Sequence, residues 1–581
     1  MTTDAATFQF ASGARRTRRQ MAIDLVAAWK DAGTKLVFGV PGGGSNLDVV
    51  GAAQACGMRF VLAHTENAAA IMAGVVGELT GSPGACVVTR GPGIASVVNG
   101  VAQALLDRQP MIVVSDCVPV EDYLRIPHQW LAQVALMAPV TLGSYTYGSD
   151  ETDLPTLAVE RALGGQPGPV HVDFDPSAAS QEPPAGPYPL SFVPPPDDIL
   201  ALLAPSRRAV FVVGVGALYG GTHAAERVAA ALHQIGLAHH TPMLTTYKAR
   251  GVVADSALWC AGVATGATIE SPALHAADLI IGVGLDPVEL IPADWPYAAP
   301  IIWLDPWGID SSPYFVQRQL GDRPDDLREP WAVEGSPYFV SPQQASRDGA
   351  LVASLSEVAA GLSTTWDDDA GRIFRQQSLA ELAVAVPGVV GKVSPLDVVR
   401  TTRAVAPAGT IATVDAGAHM LLAVPFWEVD QPGELLISSG LATMGFALPA
   451  AIAAALVYPD RAVVCFTGDG GLGMVLAELE TVVRLDLRVI VVVFNDATLS
   501  LIAAKQQPTD NGGIDAVRYH PIDFAAVARG VGMNADSITS TTDLQDALRR
   551  ALTADGPTLL DVAVDPSSYP AVLDAVRGPR R

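Results

Sequence analysis

Two apolar runs in the C-terminal third of the chain each end in a carboxylate, and this pattern constrains the fold more than any other. Residues 462–466 (AVVCF) lead into Thr-Gly-Asp-Gly-Gly, and residues 488–494 (RVIVVVF) lead into Asn-Asp. Such runs are typical of buried parallel strands, and the glycines open a following helix. Since parallel strands present their carboxyl ends at one edge of a sheet, we expect Asp469 and Asp496 to lie close together there.

The residues around these acids favour a diphosphate and its metal. Carboxylate oxygens suit Mg²⁺, which in proteins binds one or two carboxylates together with substrate phosphates. Glycines at a helix start expose backbone N–H groups that bind phosphate, and here they are Gly468, Gly470 and Gly471. The alternative is a Rossmann-like strand end whose acids are solvated. The second motif, at the expected distance, favours the metal clamp.

Length and charge exclude some classes of protein. A chain of 581 residues is predicted to form about three domains. The net charge of −24 argues against a nucleic-acid partner, because binding to phosphate backbones depends on Lys and Arg. The five cysteines include no CxxC pair, so we expect buried thiols in a reducing compartment.

No stretch of the sequence is predicted to span a membrane. The longest uncharged run, residues 435–459, is interrupted by serines, glycines and a proline, which is typical of a loop followed by a buried helix. Near the N-terminus, two arginine pairs precede an amphipathic helix that contains Asp24, which differs from the apolar core of a signal peptide. We therefore predict a cytoplasmic protein without a membrane partner.

Strand-like apolar runs alternate with helical patterns along the chain, which predicts an α/β protein with parallel sheets. Two proline-rich or polar breaks divide it, over residues 183–198 and 321–369. We predict three Rossmann-like, doubly wound domains over residues 15–185, 198–350 and 385–575. The sequence of the second break is compatible with two interpretations, a lid and an inter-domain connection.

The motifs together resemble one enzyme family. Gly-Asp-Gly followed about 25 residues later by Asn-Asp resembles the thiamine diphosphate signature. PGG (41–43), HTEN (64–67), RGPG (90–93) and DRQPM (107–111) resemble the acetolactate synthase group of thiamine enzymes, and the resemblance covers nearly the whole chain. It implies a pyrimidine-binding domain, a central domain and a diphosphate-binding domain, in that order, with thiamine diphosphate and Mg²⁺ as cofactors.

The resemblance also assigns roles to residues of the third unit. It implies that Asp469 and Asp496 ligate Mg²⁺ through their side chains and Thr498 through its backbone carbonyl. Asp496 replaces the second Asn of the usual pair and still supplies an oxygen. Gly417 and His419, in a VDAGAH segment, are implied to approach the diphosphate.

Further residues match positions around the cofactor's rings. Met444 matches an apolar wedge under the cofactor, and backbone groups at Ala442 and Met444 are implied to hold the pyrimidine edge. Glu66 matches the glutamate that hydrogen-bonds the aminopyrimidine, and a carboxyl in an apolar pocket can share a proton with a ring nitrogen near neutral pH. Core packing and a helix N-terminal acid are the alternatives for these two side chains. Gly43 and Gln109 are implied to lie on the substrate side.

The central unit carries a glycine-rich strand end, AVFVVGVGALYGG, over residues 209–221. Its glycines at 214, 216 and 220 are spaced one residue wider than in a dinucleotide fingerprint, so the motif is weak. Acetolactate synthases include members with a non-redox FAD beside this unit and members without it. The loose spacing favours a central domain without FAD.

Two features bear on the reaction. The pyruvate decarboxylase branch has a His pair in the first domain, whereas residues 115–121 (SDCVPVE) contain none. This favours acetolactate-synthase-like carboligation, in which a 2-oxo acid such as pyruvate is decarboxylated and joined to a second carbonyl. Lys505 stands where biosynthetic members have a substrate-side Trp, which predicts an anionic or larger substrate. A decarboxylase or C–C lyase of the same fold and a non-catalytic paralogue are the alternatives.

The resemblance implies an assembly as well. In the family, the pyrimidine domain of one chain faces the diphosphate domain of another. Glu66 and Asp469 of one site are therefore expected on different subunits. We predict a homodimer or homotetramer with active sites between subunits.

Overall fold

Three parallel sheets, one after another along the chain, form the framework of the protein. A computed structural model describes residues 16–118, 128–149, 153–175, 177, 203, 205–290, 297–299, 301–304, 338–340, 347–384, 389–506 and 516–578. Within those ranges, no helix combines the length and the apolar composition needed to cross a bilayer. The predicted α/β class with three parallel sheets is confirmed.

The first sheet and its helices occupy the N-terminal third. The strands are Leu36–Val40 (β1), Arg59–Leu62 (β2), Gly84–Val88 (β3), Met111–Asp116 (β4), Gly143–Tyr147 (β5) and Pro169–Phe174 (β6). The helices are Arg18–Asp31 (α1), Ser45–Ala55 (α2), Glu66–Thr80 (α3), Pro92–Leu106 (α4), Gln133–Met137 (α5) and Leu154–Leu163 (α6). The strand order is β2-β1-β3-β4-β6-β5, and strands β3, β4 and β6 are buried along their whole length. Such burial is typical of a sheet covered on both faces.

The second sheet has the same doubly wound form. Its strands are Ala209–Val213 (β7), Met243–Thr246 (β8), Cys260–Ala264 (β9), Leu279–Val283 (β10), Ile301–Leu304 (β11) and Tyr338–Val340 (β12). The helices are Thr222–His239 (α7), Ser271–His275 (α8), Arg347–Gly361 (α9) and Ala370–Leu382 (α10). The strand order is β12-β11-β10-β7-β8-β9, so the chain reverses direction across the sheet between β7 and β10.

The third sheet carries the two strands from which the fold was first predicted. Its strands are Ile411–Val414 (β13), Leu435–Ile437 (β14), Val463–Gly468 (β15), Val489–Asn495 (β16), Asn534–Ile538 (β17) and Thr558–Ala563 (β18). Its helices are Pro395–Val405 (α11), Met420–Phe426 (α12), Ala447–Val457 (α13), Asp469–Met474 (α14), Glu478–Arg484 (α15), Ser500–Lys505 (α16), Phe524–Gly530 (α17), Thr541–Thr553 (α18) and Tyr569–Arg577 (α19). The order is β14-β13-β15-β16-β18-β17, which places the reversal between β13 and β15.

Helices α3 and α13 join the first and third sheets. Both are rich in alanine, and residues of both lie in one continuous apolar core with side chains of the two sheets. Helix α3 is apolar on nearly every side after its first turn, which is typical of a helix without a solvent face. Small side chains allow close approach, so this helix positions Glu66, its first residue, relative to the third unit.

The predicted domain boundaries remain predictions. The strands of the three sheets fall inside the predicted units 15–185, 198–350 and 385–575. The break at 183–198 lies outside the described residues, as do the limits at 15, 185, 198 and 385. Within the second break, over 321–369, strand β12 pairs with β11 and so belongs to the central sheet.

Gly84 tests the packing of α3 on the first sheet. A Cβ at Gly84 would lie 1.8 Å from the carbonyl oxygen of Ala73 in α3, so Gly84→Ala requires the helix to move. We expect the free energy of unfolding to fall by about 1–3 kcal/mol in chemical denaturation followed by circular dichroism. Gly51→Ala is the control, because a Cβ at that exposed glycine of α2 would have no neighbouring atom within 4 Å, and the variant should be neutral or slightly stabilised. Equal stability of both variants would contradict the close packing.

Candidate active site at the carboxyl edge of the third sheet

The reversal of strand order between β13 and β15 creates a crevice at the carboxyl edge of the third sheet. Ligands of doubly wound sheets bind at such a position. Strand β13 leads into Asp415, Gly417 and His419, β15 leads into Asp469, and β16, next to β15, leads into Asp496. The structure therefore brings four polar side chains and Gly417 to one edge.

Asp469 and Asp496 lie side by side, as predicted. One oxygen of Asp469 accepts a hydrogen bond from the Gly470 N–H at 2.7 Å, and the other faces the Asp496 N–H at 3.3 Å. The Asp496 carboxylate accepts from the Thr498 N–H at 3.0 Å and from the Ser500 hydroxyl. Backbone and hydroxyl donors thus hold both carboxylates in place.

The charge state of the pair fits a divalent cation. Burial raises the pKa of Asp496 to about 6; the Ser500 hydroxyl opposes this rise, and the charge of Asp469 adds to it. Burial also raises the pKa of Asp469. Two carboxylates that disfavour each other's charge are stabilised together by a bound cation, and oxygen donors of this kind suit Mg²⁺.

The glycine turn between these strands is crowded by its neighbours. A Cβ at Gly471 would lie 2.2 Å from a carboxylate oxygen of Asp415, and one at Gly470 would lie 2.9 Å from Leu499 and 3.3 Å from Met444 Cε. Side chains at these two positions would displace the residues that form the crevice. The predicted wedge residue Met444 is therefore in contact with the turn that carries Asp469.

His419 points into the crevice with an unpaired nitrogen. Its ring is 3% exposed, stacks on Phe494 with centroids 5.0 Å apart, and lies near Gly468. Its Nε2 atom is buried and has no hydrogen-bond partner among the described residues. Burial lowers the pKa of His419 to about 4, against a backbone hydrogen bond at Phe466. Because the ring already bonds the Phe466 backbone, the neutral imidazole presents Nε2 as an acceptor. Nε2 can donate to a phosphate oxygen only from the protonated ring, a state that a bound diphosphate would favour.

Two alanines near the crevice have left-handed backbones. Ala442 has φ of 51° and Ala497, between Asp496 and Thr498, has φ of 56°. This conformation costs free energy in a residue with a Cβ, and such residues concentrate at functional sites. Ala442 is exposed within the turn that precedes Met444, so its backbone groups are accessible.

Glu66 lies at the start of α3, near the carboxyl end of β2. Its carboxylate faces the first turn of α4, where a Cβ at Gly93 would lie 3.4 Å from Glu66 Oε1. The turn before it is tied to the third unit, because Glu478 Oε1 accepts the N–H groups of His64 at 2.9 Å and Thr65 at 3.1 Å. Among the described residues, no hydrogen bond or ion pair joins Glu66 to the carboxylate pair of its own chain.

Three predicted substrate-side residues are not brought together at the crevice. Gly43 is exposed in the loop after β1. Gln109 is fully buried, and its side chain binds Glu78 and Gln103. Lys505 is exposed at the end of α16; partial burial, followed by the charge of Arg577, lowers its pKa.

Sequence reasoning missed several residues of the site. Asp415 accepts the Thr467 hydroxyl at 2.9 Å and the Phe446 N–H at 3.2 Å, and its burial raises its pKa to about 6. Its position directly after β13 is a pattern from which the sequence could have identified Asp415. For Ser500 and Tyr569, the sequence contains no such specific pattern. Tyr569 lies on the C-terminal helix α19, and burial, followed by the charges of Asp496 and Asp469, raises its pKa.

A cavity of about 850 Å³ opens beside Asp496. Its walls include Asp496 and Thr498, the aromatic rings of Tyr519 and Tyr569, and the side chain of Gln506. This volume is in the range of small-molecule sites.

Comparison with known proteins agrees with this geometry. The C-terminal thiamine pyrophosphate (thiamine diphosphate) binding domain of thiamine pyrophosphate enzymes matches residues 415–562, and the N-terminal binding domain matches residues 19–136. Acetolactate synthase of Bacillus subtilis is 29% identical over 92% of this chain and 91% of its own length. The isozyme 1 large subunit of acetolactate synthase from Escherichia coli is 27% identical, covering 97% of each chain. The catabolic acetolactate synthase of Raoultella terrigena is also 27% identical, over 96% of this chain and 98% of its own.

The chain is a thiamine diphosphate enzyme of the acetolactate synthase type. The two matched segments contain the strand ends described above: the C-terminal match begins at Asp415 and includes Asp469 and Asp496, and the N-terminal match includes Glu66. The central sheet, from β7 to β12, lies between the matched segments.

In this thiamine enzyme, backbone N–H groups of the glycine motif in the central unit donate hydrogen bonds to acceptors of the same chain. The Val215 N–H donates to Glu289 Oε2 at 2.8 Å, and the N–H groups of Gly214 and Gly216 donate to the carbonyls of Val283 and Gly284. These are the amides that a dinucleotide phosphate would need. The prediction of a central domain without FAD remains a prediction, and this arrangement supports it.

Glu289 also predicts a pH dependence of stability. Burial raises its pKa to about 8, while hydrogen bonds from Thr246 and Val215 oppose the rise. In the unfolded chain the same carboxyl ionises near its ordinary pKa of about 4.3. Below that pH both states are protonated, whereas between it and about 8 only the unfolded state is ionised, so this group progressively destabilises the fold as pH rises.

We expect Glu289→Gln, which keeps the shape and the acceptor, to remove this part of the pH dependence. The stability of the variant relative to the natural chain should increase from pH 5 to pH 8, measured by chemical denaturation at several pH values. Asp278→Asn is the control, since hydrogen bonds hold the pKa of that acid low. A difference between Glu289→Gln and the natural chain that does not change with pH would contradict the assignment.

Proposed function

We propose that this enzyme decarboxylates a 2-oxo acid such as pyruvate and joins the remaining acyl unit to a second carbonyl, with thiamine diphosphate and Mg²⁺ as cofactors. The observation that carries the proposal is the crevice itself. There the Asp469 carboxylate lies 3.3 Å from the backbone N–H of Asp496, and the buried Nε2 of His419, whose ring lies near Gly468, has no partner among the described residues. The acetolactate synthase names of the relatives supply the reaction class.

Within this proposal, the chain's residues bind and orient the cofactor. Asp469, Asp496 and the carbonyl of Thr498 hold Mg²⁺, and the glycine turn with Gly417 and His419 holds the diphosphate. Gly468, Gly470 and Gly471 keep that turn free of side chains. Thiamine diphosphate, when bound, supplies a ring that stabilises the carbanion left by loss of CO₂.

Other residues act at the rings. Met444 would support the cofactor's rings, and backbone groups of Ala442 and Met444 would hold the pyrimidine edge. The Glu66 carboxyl holds and returns a proton at the pyrimidine nitrogen. Gly43 and Lys505 are proposed on the substrate side. The assignment of Gln109 to the substrate side rests only on the resemblance, because its side chain is hydrogen-bonded to Glu78 and Gln103.

The proposed assembly is a homodimer or a homotetramer with sites between subunits. In its own chain, the Glu66 carboxylate faces Gly93 of α4 in the first unit, whereas the carboxylate pair lies in the third unit. Apolar side chains next to each half-site are exposed: Leu62 is 44% exposed near Glu66, and Met474 is 60% exposed after the glycine turn. A second chain that brings Glu66 to the crevice would cover them.

A substrate panel tests the reaction. The protein with thiamine diphosphate and Mg²⁺ is incubated with a series of 2-oxo acids, alone and with added aldehydes, and products are identified by mass. We expect acetolactate from pyruvate or the matching condensation product from a related acid. Free aldehyde without condensation would instead show the decarboxylase or lyase alternative, and no turnover of any acid would favour the non-catalytic one.

Lys505→Ala and Lys505→Met are compared with the natural chain in the same panel. If Lys505 contacts an anionic substrate group, both variants should lose activity selectively on acids with a second charge. Arg549→Ala is the matched control, because it removes one positive charge from an exposed residue on α18. An unchanged ranking of substrates would remove Lys505 from the site.

Mixed chains test the role of Glu66 and the shared site together. Glu66→Gln and Asp469→Ala should each reduce turnover by about 10²-fold or more as homo-oligomers. If the two residues of one site come from different chains, a mixed dimer has one site with neither substitution. Equal mixing after dissociation should then restore about a quarter of natural activity, because half of the random pairs each hold one intact site. No recovery in verified mixed dimers would place both residues of a site on one chain.

A further inference from the structure

A buried lysine meets residues of all three units beneath the turn that carries Ala442 and Met444. Lys248 follows strand β8 of the central sheet and is 2% exposed. Its Nζ lies 2.7 Å from Glu78 in α3, 3.6 Å from Asp107 at the end of α4, and 3.0 Å from the carbonyl oxygen of Ile437 in β14. One ammonium therefore contacts the first and third units at once.

Asp107 extends this network to the third unit. One of its oxygens accepts the N–H groups of Ser439 at 3.1 Å and Gly440 at 2.7 Å, while the other faces Lys248 and accepts from Gln103 at 2.8 Å. The approach is close, because a Cβ at Gly440 would lie 2.7 Å from Leu106. The carboxylate thus holds two successive backbone amides just after β14.

These contacts fix the beginning of residues 437–446, which we call the cofactor turn. The Ser438 hydroxyl accepts the Thr443 N–H at 3.2 Å, and the Thr443 hydroxyl meets Asn99 of α4 at 3.0 Å. At the end of the turn, the Phe446 N–H binds Asp415, and its ring lies 6.0 Å from Lys248 Nζ. The left-handed Ala442 lies between these fixed ends.

The energetics favour a geometric role for the network. Burial opposes the charge of Lys248, but Glu78 and Asp107 outweigh it and raise its pKa. A buried ion pair of this kind contributes little net stability compared with apolar residues of the same volume. Its specific effect is to hold the amides of the turn in one arrangement, and the unfavourable backbone of Ala442 persists only if its surroundings hold it.

We propose that Lys248 and Asp107 are positioning residues that set the cofactor turn for the pyrimidine half of thiamine diphosphate. The proposal rests on the proposed function, because that function assigns Ala442 and Met444 to the pyrimidine. Among the described residues, no hydrogen bond or ion pair joins Lys248 or Asp107 to the carboxylate pair or to His419. Loss of the network should therefore weaken recognition of the thiamine part and leave recognition of Mg²⁺ and diphosphate unchanged.

Two ligands separate these effects. Binding of thiamine diphosphate and of inorganic diphosphate, each with Mg²⁺, is measured by calorimetry for the natural chain, Asp107→Asn and Lys248→Met. Asn cannot satisfy both sides of position 107, because its amide nitrogen must face either the two backbone N–H groups or Lys248 and Gln103. We expect the Kd of thiamine diphosphate to rise about tenfold or more, and that of inorganic diphosphate to stay within about twofold.

Arg108→Met is the matched control. Arg108 and Asp286 form a second buried ion pair between the first and central units, 2.8 Å apart, with no hydrogen bond or ion pair to the cofactor turn in the described residues. This variant should bind both ligands as the natural chain does. An equal loss for both ligands, an equal effect of Arg108→Met, or unchanged affinity would each overturn the proposal.

Two further outcomes are decisive. If neither network variant folds by circular dichroism, the network serves the whole chain and the positioning role is wrong. If the natural chain binds inorganic diphosphate but not thiamine diphosphate, the proposed function fails instead, and the comparison of variants distinguishes the two results.

Discussion

The parallel register of β15 and β16 is the constraint on which the site depends. Gly468 is paired with Phe494, so the residues that follow the two strands, Asp469 and Asp496, emerge at nearly the same height. A shift of either strand by one residue would separate the carboxylates. It would also turn each side chain of that strand to the other face of the sheet. The register is held by strands buried on both faces, since every residue from Val489 to Phe494 is buried. The chemistry at the edge is therefore a consequence of apolar packing well away from it.

Contacts within the chain also determine the position of Glu66. Helix α15, which follows the glycine turn of the crevice, binds the segment before Glu66 through Glu478 and through Arg484, which donates to the carbonyl of Leu62 at 2.6 Å. The Glu478 side chain is buried, and burial raises its pKa, whereas the two backbone amides that donate to it belong to an exposed and a half-buried residue. If Glu66 serves the crevice of a second chain, each chain rigidly connects its own crevice to the acid that serves its neighbour. The geometry of the two sites in a dimer would then not be independent.

Periodicity and strand-end chemistry predicted the α/β class, the three sheets and the adjacency of Asp469 and Asp496. These features are local: apolar runs bounded by glycines determine where strands end, and parallel topology places the ends together. Gln109 and Lys505 could not be placed in this way, because the direction of a side chain after a strand or helix is set by partners distant in sequence. Gln109 turns to Glu78, and Lys505 lies on the outer end of α16. Tyr569 reaches the crevice from the last helix, a contact that no local pattern contains.

The central unit shows why a glycine motif is weaker evidence than a pair of acids. The glycine at 214 is required by close contacts, since a Cβ there would lie 2.5 Å from Leu285 and 2.6 Å from Glu289. The turn at Gly214 presents its amides to a carboxylate of the same chain. A glycine turn at a strand end therefore indicates that backbone N–H groups will be exposed to an anion, but not which anion. In the third unit the Gly470 N–H also meets a carboxylate of the chain, that of Asp469, but Asp496 adds a second negative charge nearby, and a bound cation would stabilise the two charges together.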